Sequence, residues 1–544
     1  MAFRCPSCGG DLYYDISKKD LCCKHCNNHT SIEDYHINND AQEIPYLDGQ
    51  TAYICKNCGA ELISPDESIV SFCSYCGGEQ LLAGKIQGEF RPRRIIPFEK
   101  TKSHCKEAYK KITQGKLYVP RELKDPEYLE KFRGIYIPYW NYGMGFDDAA
   151  TVKAYKKKRS GNYVTETTYN VTAEIKGSPT GVPFDASSYF DDTSASQLMP
   201  FDRKKAVDFD GAYLAGFYAD NPDVDPATYL REVSEKASED AFKSIEKSLK
   251  RDSLKITDEP TAMKVDRLRP SMRESFTELF PVWFLTWRNK DRVAYAIMNG
   301  QTGKLLTDLP VDLSQYGKVT AIIALAIFAI LSIFVSMTAR TALSLCAFLT
   351  LIVAMLFRAE AAKIRDHENH IYDKGYFVRD RRVPMPPRKW QRLHEKKRRD
   401  IGKDPNAKSV ILIAFFSVFG YIFIAAFLAV TSAMDPADRL LFFTFIFLVA
   451  GIVTWIRTMI ALIYVRQRSL MVSALIPLIA LIAAFWIAVW NPVDDYFYYA
   501  GSLICSGASA LLSVGLIKYY NLLSTRPLPS FYDRKGGNDN ADDK

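Results

Sequence analysis

Eight cysteines of this chain form two copies of one pattern, and the second copy lies 50 residues after the first. In each copy, two C-x-x-C pairs are separated by 14 residues. Four thiolates at this spacing suit tetrahedral Zn²⁺, so we predict two structural zinc ions. The predicted ligands are Cys5, Cys8, Cys23 and Cys26 in the first copy and Cys55, Cys58, Cys73 and Cys76 in the second.

Two alternatives to zinc use the same cysteines. Disulfide pairing is disfavoured, because paired C-x-x-C repeats in a sequence without a secretory signal pattern are typical of metal sites. Iron stays open, since rubredoxin-type sites use the same four thiolates. In the first copy Cys22 adjoins Cys23, but the repeat aligns Cys22 with Phe72. Cys23 is therefore the predicted ligand, and Cys22 is a packed neighbour.

Short β-hairpins are the elements that would position these cysteines. The 14 residues between the pairs are enough for a hairpin that returns the second pair to the first. A unit this small buries little apolar surface, so metal binding would supply much of its folding free energy, about 10 kcal/mol or more. We predict two tandem small β zinc ribbons, at residues 1–46 and 47–84.

The net charge of +8 is unevenly distributed along the chain. Residues 1–84 hold 5 Lys and Arg against 12 Asp and Glu. Residues 85–135 hold 14 basic and 7 acidic residues, and residues 358–408 hold 16 and 8. Because contacts to phosphate need Lys and Arg, the acidic cysteine-containing segment argues against nucleic-acid binding and favours protein docking.

The C-terminal half contains six apolar runs, and most have the ~20 residues that a helix needs to cross a bilayer. The runs are 319–337, 342–357, 409–431, 440–465, 470–490 and 496–517, and the longer ones share a single charged residue, Arg457. We therefore predict an all-α region of six transmembrane helices. Its parts are a hairpin at 316–358, a basic loop at 359–408, four helices at 409–518 and a polar tail at 519–544.

The basic residues of the loops predict the orientation of these helices. The Lys and Arg residues of the short loops on one side are only Arg340 and Arg439. The loop at 358–408 on the other side holds 16 Lys and Arg. The positive-inside rule then places both termini in the cytoplasm. Reduced thiolates need the same compartment. We expect a multi-pass protein of the cell membrane with a cytosolic N-terminal region.

The basic loop has two interpretations. Its charge either only fixes the membrane orientation, or it contacts anionic lipid headgroups with Trp390 at the interface. The second interpretation makes membrane lipids a partner. Its candidate residues are Arg388, Lys389, Trp390, Arg392, Lys396, Lys397, Arg398 and Arg399.

Residues 85–315 are predicted to form a cytosolic α+β domain. Amphipathic spacing predicts helices at 99–113 and 226–250, with Asp225 as the N-cap of the second. Alternating β-branched and aromatic residues predict strands. These strands are 135–142, 150–158, 163–175, 282–288, 292–298 and 304–306.

Several stretches of this domain, taken with the double ribbon, resemble bacterial TFIIB-type zinc-ribbon membrane proteins. They are Ile135–Trp140, Pro183–Ser188, Ala212–Phe217, Pro281–Trp283 and Ala296–Lys304, which includes Asn299-Gly300-Gln301-Thr302-Gly303. The resemblance covers about residues 50–310 and a membrane anchor, and the chain departs from the family in having two ribbons and six spans. It implies a protein without an established enzymatic activity. For members that sit beside phage-shock-type envelope-stress proteins, it implies docking at the membrane.

Motifs of common enzymes are absent from the sequence, which contains no G-x-x-x-x-G-K-[ST], no G-x-S-x-G and no H-E-x-x-H. The acidic pairs Asp147-Asp148 and Asp191-Asp192 have no companion base or nucleophile, and we expect them to end strands or cap helices. The predicted function is non-enzymatic docking or scaffolding of a cytosolic or membrane protein partner at the inner face of the membrane, in envelope stress or maintenance. One alternative is a transporter or membrane enzyme with regulatory zinc ribbons. The other is a membrane-tethered nucleic-acid-binding protein.

Overall fold

The computed structural model describes most of the chain. The described residues are 3–38, 51–55, 61–63, 75, 81–85, 92–146, 149–161, 163–174, 181–188, 190–220, 222–256, 270–290, 292–334, 337–368, 435–462 and 468–527. They form an N-terminal cysteine cluster, a mixed α/β part and, toward the C-terminus, five apolar helices.

Strands and helices are labelled in chain order. The strands are Leu12–Asp15 (β1), Asp20–Cys23 (β2), His29–Thr30 (β3), Thr51–Cys55 (β4), Glu61–Ile63 (β5), Leu81–Lys85 (β6), Arg94–Ile95 (β7), Arg133–Phe146 (β8), Ala150–Ser160 (β9), Tyr163–Ala173 (β10), Val182–Asp185 (β11), Val207–Asp208 (β12), Tyr218–Asp220 (β13), Lys255–Ile256 (β14), Pro270–Asn289 (β15), Arg292–Asn299 (β16), Leu305–Thr307 (β17) and Arg526–Pro527 (β18). The helices are Ile32–Asn38 (α1), Lys102–Thr113 (α2), Pro126–Leu129 (α3), Asp192–Leu198 (α4), Leu230–Arg251 (α5), Leu313–Phe334 (α6), Ala339–Glu368 (α7), Pro436–Leu462 (α8), Arg468–Ser473 (α9), Ile476–Trp490 (α10) and Asp495–Leu523 (α11).

Two long antiparallel strands, β8 and β15, form the centre of the α/β part. They pair from Phe146 opposite Pro270 to Arg133 opposite Phe284. β15 then turns back into β16, which also pairs with β17 and β18. Beyond β8 the sheet continues to β13 and then to β5, β4 and β6. β4, which ends at Cys55 of the second cysteine copy, therefore belongs to the same sheet as the α/β part.

Apolar residues on β8 and β15 bury both faces of this sheet. Successive side chains of a strand point to opposite faces, so Ile135 and Ile137 contribute to one core and Tyr136 to the other. On β15, Leu279 and Phe280 divide in the same way. One of these cores also contains residues of β1 and β2, so the N-terminal cysteine hairpin covers one face of the sheet.

The predicted elements of the α/β part are present, with shifted ends. The second predicted helix begins as a 3₁₀ turn, Pro226–Tyr229, and continues as α5 to Arg251. Asp225 accepts a hydrogen bond from the N–H of Ala227, which confirms its predicted N-cap role. The strand predicted at 282–288 begins at Pro270 instead. Pro281 lies inside β15, where its carbonyl accepts from the N–H of Gly300.

Within the described residues, five helices are long and apolar enough to cross a membrane. The candidate spans are Leu313–Ile330, Ala339–Glu360, Pro436–Ile460, Met471–Trp490 and Asp495–Leu523. They correspond to five of the six predicted runs, and the run at 409–431 lies outside the described residues. The second helix extends to Glu368, ten residues past the predicted boundary at 358. The span at 471–490 is divided ahead of Pro477, which occupies the first turn of α10, where proline is tolerated.

Direct hydrogen bonds join the α/β part to the ends of these helices. The side-chain amide of Asn521 in α11 bonds both backbone groups of Val311, accepting from its N–H at 2.7 Å and donating to its carbonyl at 2.8 Å. Arg292, at the start of β16, donates to the carbonyls of Leu522 and Thr525, each at 2.8 Å. These contacts fix the sheet against the helix that ends the apolar region.

Candidate metal centre

A β-hairpin brings the two C-x-x-C pairs of the first copy together. β1 and β2 pair in antiparallel register, with Leu12 opposite Cys23 and Asp15 opposite Asp20. Asp15 closes the turn by accepting from the N–H of Ser17 at 2.8 Å. The predicted hairpin between the two cysteine pairs is therefore confirmed.

Glycines shape the loop of the first pair. The N–H of Cys5 donates to the carbonyl of Gly10 at 2.7 Å, and the N–H of Gly9 donates back to Cys5 at 2.8 Å. Gly9 has a φ of +70°, a conformation that glycine adopts without steric cost. At Gly10, a Cβ atom would lie 3.3 Å from Sγ of Cys23. A side chain at this position would therefore crowd the sulfur cluster.

The four sulfur atoms of Cys5, Cys8, Cys23 and Cys26 all lie within 4.8 Å of one another. Sγ of Cys5 is 3.6 Å from Sγ of Cys26, and Sγ of Cys8 is 3.5 Å from Sγ of Cys23. Sulfurs around a tetrahedral zinc ion stand about 3.8 Å apart, given a Zn–S distance of about 2.3 Å. Disulfide sulfurs stand only about 2.05 Å apart, and these four cysteines are free thiols. The cluster could therefore hold one metal ion.

Backbone N–H groups lower the pKa values of these thiols, and at Cys8 the neighbouring sulfurs raise the pKa. The N–H of Cys26 points at Sγ of Cys23 and lowers the pKa of the Cys23 thiol to about 6. The N–H of Gly10 lowers the pKa of Cys8, but the sulfurs of Cys26 and Cys23 outweigh it and raise that pKa to about 12. Four thiolates so close together repel one another, and a bound divalent cation would offset the repulsion.

Cys22 lies outside the sulfur cluster, as the repeat predicted. Its register partner on β1 is Tyr13, one position away from the partner of Cys23, so the side chains of Cys22 and Cys23 point to opposite faces of the hairpin. Sγ of Cys22 instead lies 2.8 Å from Nδ1 of His29. This residue is therefore a natural control for the four clustered cysteines.

The cluster is built into the core of the α/β part. Cys5 and Cys23 are buried, whereas Cys8 and Cys26 are exposed. The N–H of Tyr14 donates to the carbonyl of Ala215 at 2.9 Å, and Nε2 of His36 lies 2.6 Å from Oδ2 of Asp210. The segment 210–217 therefore receives the hairpin. In the sequence, Ala212–Phe217 stands out only through the family resemblance. No spacing of residues predicts that this segment contacts the hairpin.

The second copy is described only in part. Cys55 is the last residue of β4, and Cys58, Cys73 and Cys76 lie outside the described residues. Tyr75, between Cys73 and Cys76 in the sequence, is described and is buried in the second core of the sheet. A second four-sulfur cluster therefore stays a prediction. The lipid candidates from Arg388 to Arg399 also lie outside the described residues.

The fold and the site define a multi-pass membrane protein with an N-terminal four-cysteine cluster on a mixed α/β part. The chain is 28% identical over 329 residues to the uncharacterized protein YdjG of Bacillus subtilis (strain 168). This similarity covers 59% of the chain and 92% of YdjG. No protein-family model matches the chain, and no solved structure matches it.

Proposed function

We propose that the protein is a membrane-bound docking platform of the TFIIB-type zinc-ribbon kind. Its N-terminal region would hold a protein partner at the inner face of the cell membrane, in envelope stress or maintenance. The two cysteine copies would each bind one structural Zn²⁺ and form a ribbon, and six helices would anchor the chain with both termini in the cytoplasm. The basic loop would contact anionic lipid headgroups.

The observation that carries this proposal is a continuous packed route from the cysteine cluster to the membrane helices. The cluster shares a core with β8 and β15. β15 continues into β16, whose first residue, Arg292, bonds the end of α11. A partner held at the exposed cysteines would therefore be fixed relative to the bilayer by packed structure instead of a flexible linker.

Charge and metal chemistry also support docking. A four-thiolate site has no open coordination position, so a metal held there serves structure instead of catalysis. Residues 1–84 are acidic, which disfavours phosphate backbones and suits a basic protein surface.

Metal analysis and partner capture test the two halves of the proposal. The full-length protein in detergent is expected to contain two zinc ions, and Cys5→Ser should lose one of them. Cys22→Ser is the matched control, because its sulfur lies outside the cluster, and it should keep both ions. Iron in place of zinc, or far fewer than two ions in the wild type, would contradict the zinc assignment.

Capture experiments then use the same pair of variants. A partner bound in stoichiometric amount by the wild type and by Cys22→Ser, and lost from Cys5→Ser, supports docking. Solute flux in proteoliposomes without any bound protein would favour the transporter alternative instead. Retention of nucleic acid by the wild type at physiological salt would favour the nucleic-acid alternative.

A further inference from the structure

A cleft of about 750 Å³ lies where the α/β part meets the ends of two membrane helices. Its walls come from the turn between β15 and β16, from the start of α6 and from the last turns of α11. Asn521 and Val311, which bond each other across this junction, both line it. We call this space the junction cleft. The contacts that hold the sheet against the helices therefore also shape a possible binding site.

The junction cleft lies at the depth of lipid headgroups. The span Asp495–Leu523 in α11 has 29 residues, and at about 1.5 Å per residue it is about 43 Å long. A bilayer measures about 40–45 Å when its headgroup layers are included. Lys518 lines the junction cleft in the last turns of this span. When α11 crosses the bilayer, Lys518 is therefore placed at the boundary between acyl chains and headgroups.

Basic side chains outnumber acidic ones in the lining of the junction cleft. Arg292 is already engaged by the carbonyls at the end of α11. The cations that remain for a ligand are Arg288, Lys290 and Lys518, and all three residues are exposed. Within the described part of the chain, no ion pair joins any of these three to a carboxylate.

The two carboxylates of the lining have partners of their own. Asp312 accepts from the N–H of Ser314 at 2.8 Å, at the start of α6. Glu122 accepts from Nε1 of Trp287 at 3.2 Å. Two carboxylates do not balance the three cations of the junction cleft, so the lining favours an anionic ligand.

One face of α11 leads from the bilayer to the junction cleft. Leu511, Val514 and Lys518 follow one another at intervals of three and four residues, so they share this face. Leu511 is 60% exposed and Val514 is 40% exposed. Exposed apolar side chains next to a lysine suit a ligand with an anionic head and an apolar tail. A soluble phosphate compound would use only the lysine.

We propose that the junction cleft binds the headgroup of an anionic phospholipid. Its phosphate oxygens pair with Arg288, Lys290 and Lys518, and its acyl chains lie against Leu511 and Val514. Basic pockets beside membrane helices bind anionic headgroups in other proteins. The site is separate from the basic loop and from the cysteine cluster, and its lipid contacts both the sheet and the last membrane helix.

Titration of the full-length protein in detergent with dioleoyl phosphatidylglycerol tests the proposal, with bound lipid counted by native mass spectrometry. The wild type should bind this lipid more tightly than dioleoyl phosphatidylcholine, whose choline cation offsets its phosphate. Lys518→Gln should weaken the binding of phosphatidylglycerol about tenfold, because one charge-assisted contact is lost. Lys247→Gln is the matched control and should keep its affinity, because Lys247 is exposed on α5 and does not line the junction cleft.

Glu122→Gln separates recognition of charge from folding. The substitution removes a negative charge from the junction cleft, while the new amide oxygen can still accept from Nε1 of Trp287. Binding of phosphatidylglycerol should become several-fold tighter, and misfolding cannot produce such a gain. Glycerophosphoglycerol, the same headgroup without acyl chains, should compete only weakly because it cannot contact Leu511 and Val514.

Several results would overturn the lipid site. They are equal affinity for the two lipids, equal affinity in Lys518→Gln and Lys247→Gln, or no gain in Glu122→Gln. Displacement of the lipid by equal concentrations of glycerophosphoglycerol or inorganic phosphate would assign the junction cleft to a soluble phosphate compound and would also reject the proposal. The basic loop at 359–408 is the same in all these variants, so its own lipid contacts cannot produce or hide these differences.

Discussion

Tyr75, which lies between Cys73 and Cys76 in the sequence, donates its hydroxyl to Oδ2 of Asp220 at 2.7 Å. Both residues are fully buried. Ser187 donates to the same oxygen, and the hydroxyl of Tyr295 donates to the backbone carbonyl of Tyr75 at 2.7 Å. Tyr75 belongs to one core of the sheet and the first cysteine hairpin to the other. Tyr75 and the first cysteine hairpin therefore pack on opposite faces of one sheet.

Replacement of Tyr75 by phenylalanine tests this anchor. Tyr75→Phe removes one donor from a buried carboxylate, so we expect the free energy of unfolding to fall by about 1–3 kcal/mol. The measurement is the thermal unfolding midpoint of the full-length protein in detergent, followed by intrinsic fluorescence. Tyr163→Phe is the control, because Tyr163 is 81% exposed. Equal midpoints for the two variants would mean that Tyr75 is not an anchor.

Removal of metal should loosen the N-terminal hairpin. Bound metal supplies about 10 kcal/mol or more of folding free energy to units of this kind. A strong chelator should therefore open residues 3–38 to limited proteolysis, with the cleavage sites identified by mass spectrometry. Because Cys5 and Cys23 are part of a shared core, residues 210–217 should lose protection as well.

Single cysteine variants make the chelator result specific. Cys5→Ser should be cleaved in the same region without any chelator. Cys22→Ser should resist cleavage until the chelator is added, as the wild type does. If neither the chelator nor the Cys5→Ser substitution increases proteolysis of residues 3–38, the hairpin folds without metal.

The contact of Arg292 with the end of α11 should contribute to the stability of the whole protein. Arg292 donates from Nε to Oγ1 of Thr525 at 2.6 Å, and it also donates to the carbonyl of Leu522 in the last turn of α11 and to that of Thr525 just past it. Arg292→Met keeps the aliphatic stem and loses these donors, so we expect a loss of about 2–4 kcal/mol.

Protease sensitivity locates the effect of that change. Cleavage should increase near residues 524–527 in Arg292→Met. Arg288→Met is the control, because within the described part of the chain the guanidinium of Arg288 donates to the carbonyl of Lys290 in the neighbouring turn, at 3.2 Å, and not to α11. If both variants unfold and are cleaved alike, Arg292 does not join the sheet to the membrane helices.

Local patterns in the sequence were sufficient to predict the sulfur cluster and most of the elements. The spacing of Cys5, Cys8, Cys23 and Cys26 acts over 22 residues, and a hairpin is enough to close it. The apolar runs likewise predict membrane helices from composition alone. Helix ends were less predictable, because α7 continues as a helix through charged residues to Glu368.

Contacts between residues far apart in the chain could not be predicted from local sequence patterns. The pairs Tyr14–Ala215, Tyr75–Asp220 and Arg292–Thr525 join residues far apart in the chain. The turn at Asn299 is an instructive case. Asn299 accepts from the N–H of Thr302 within the turn, and its buried amide also donates to the carbonyls of Leu198 and Pro200. That second role depends on a segment about 100 residues away and was invisible in the sequence.

Alkaline pH should destabilise the protein through Cys105. This thiol lies on α2 in the core shared with the cysteine hairpin, and burial raises its pKa above the ordinary value of 9.0. In the unfolded chain the thiol ionises above about pH 8.5, while in the folded protein it stays protonated. Its contribution is therefore complete below that pH and is lost as the pH rises, by up to about 1.4 kcal/mol per pH unit.

Cys105→Ala isolates this contribution from the other groups that titrate in the same range. Buried tyrosines such as Tyr109, whose pKa burial also raises, are present in both proteins and cancel in the difference. We expect the unfolding midpoint of the wild type to fall more steeply than that of Cys105→Ala between about pH 8 and pH 10. Parallel curves would mean that the thiol is as free to ionise in the folded protein as in the unfolded chain. The core that receives the cysteine hairpin would then admit water at α2.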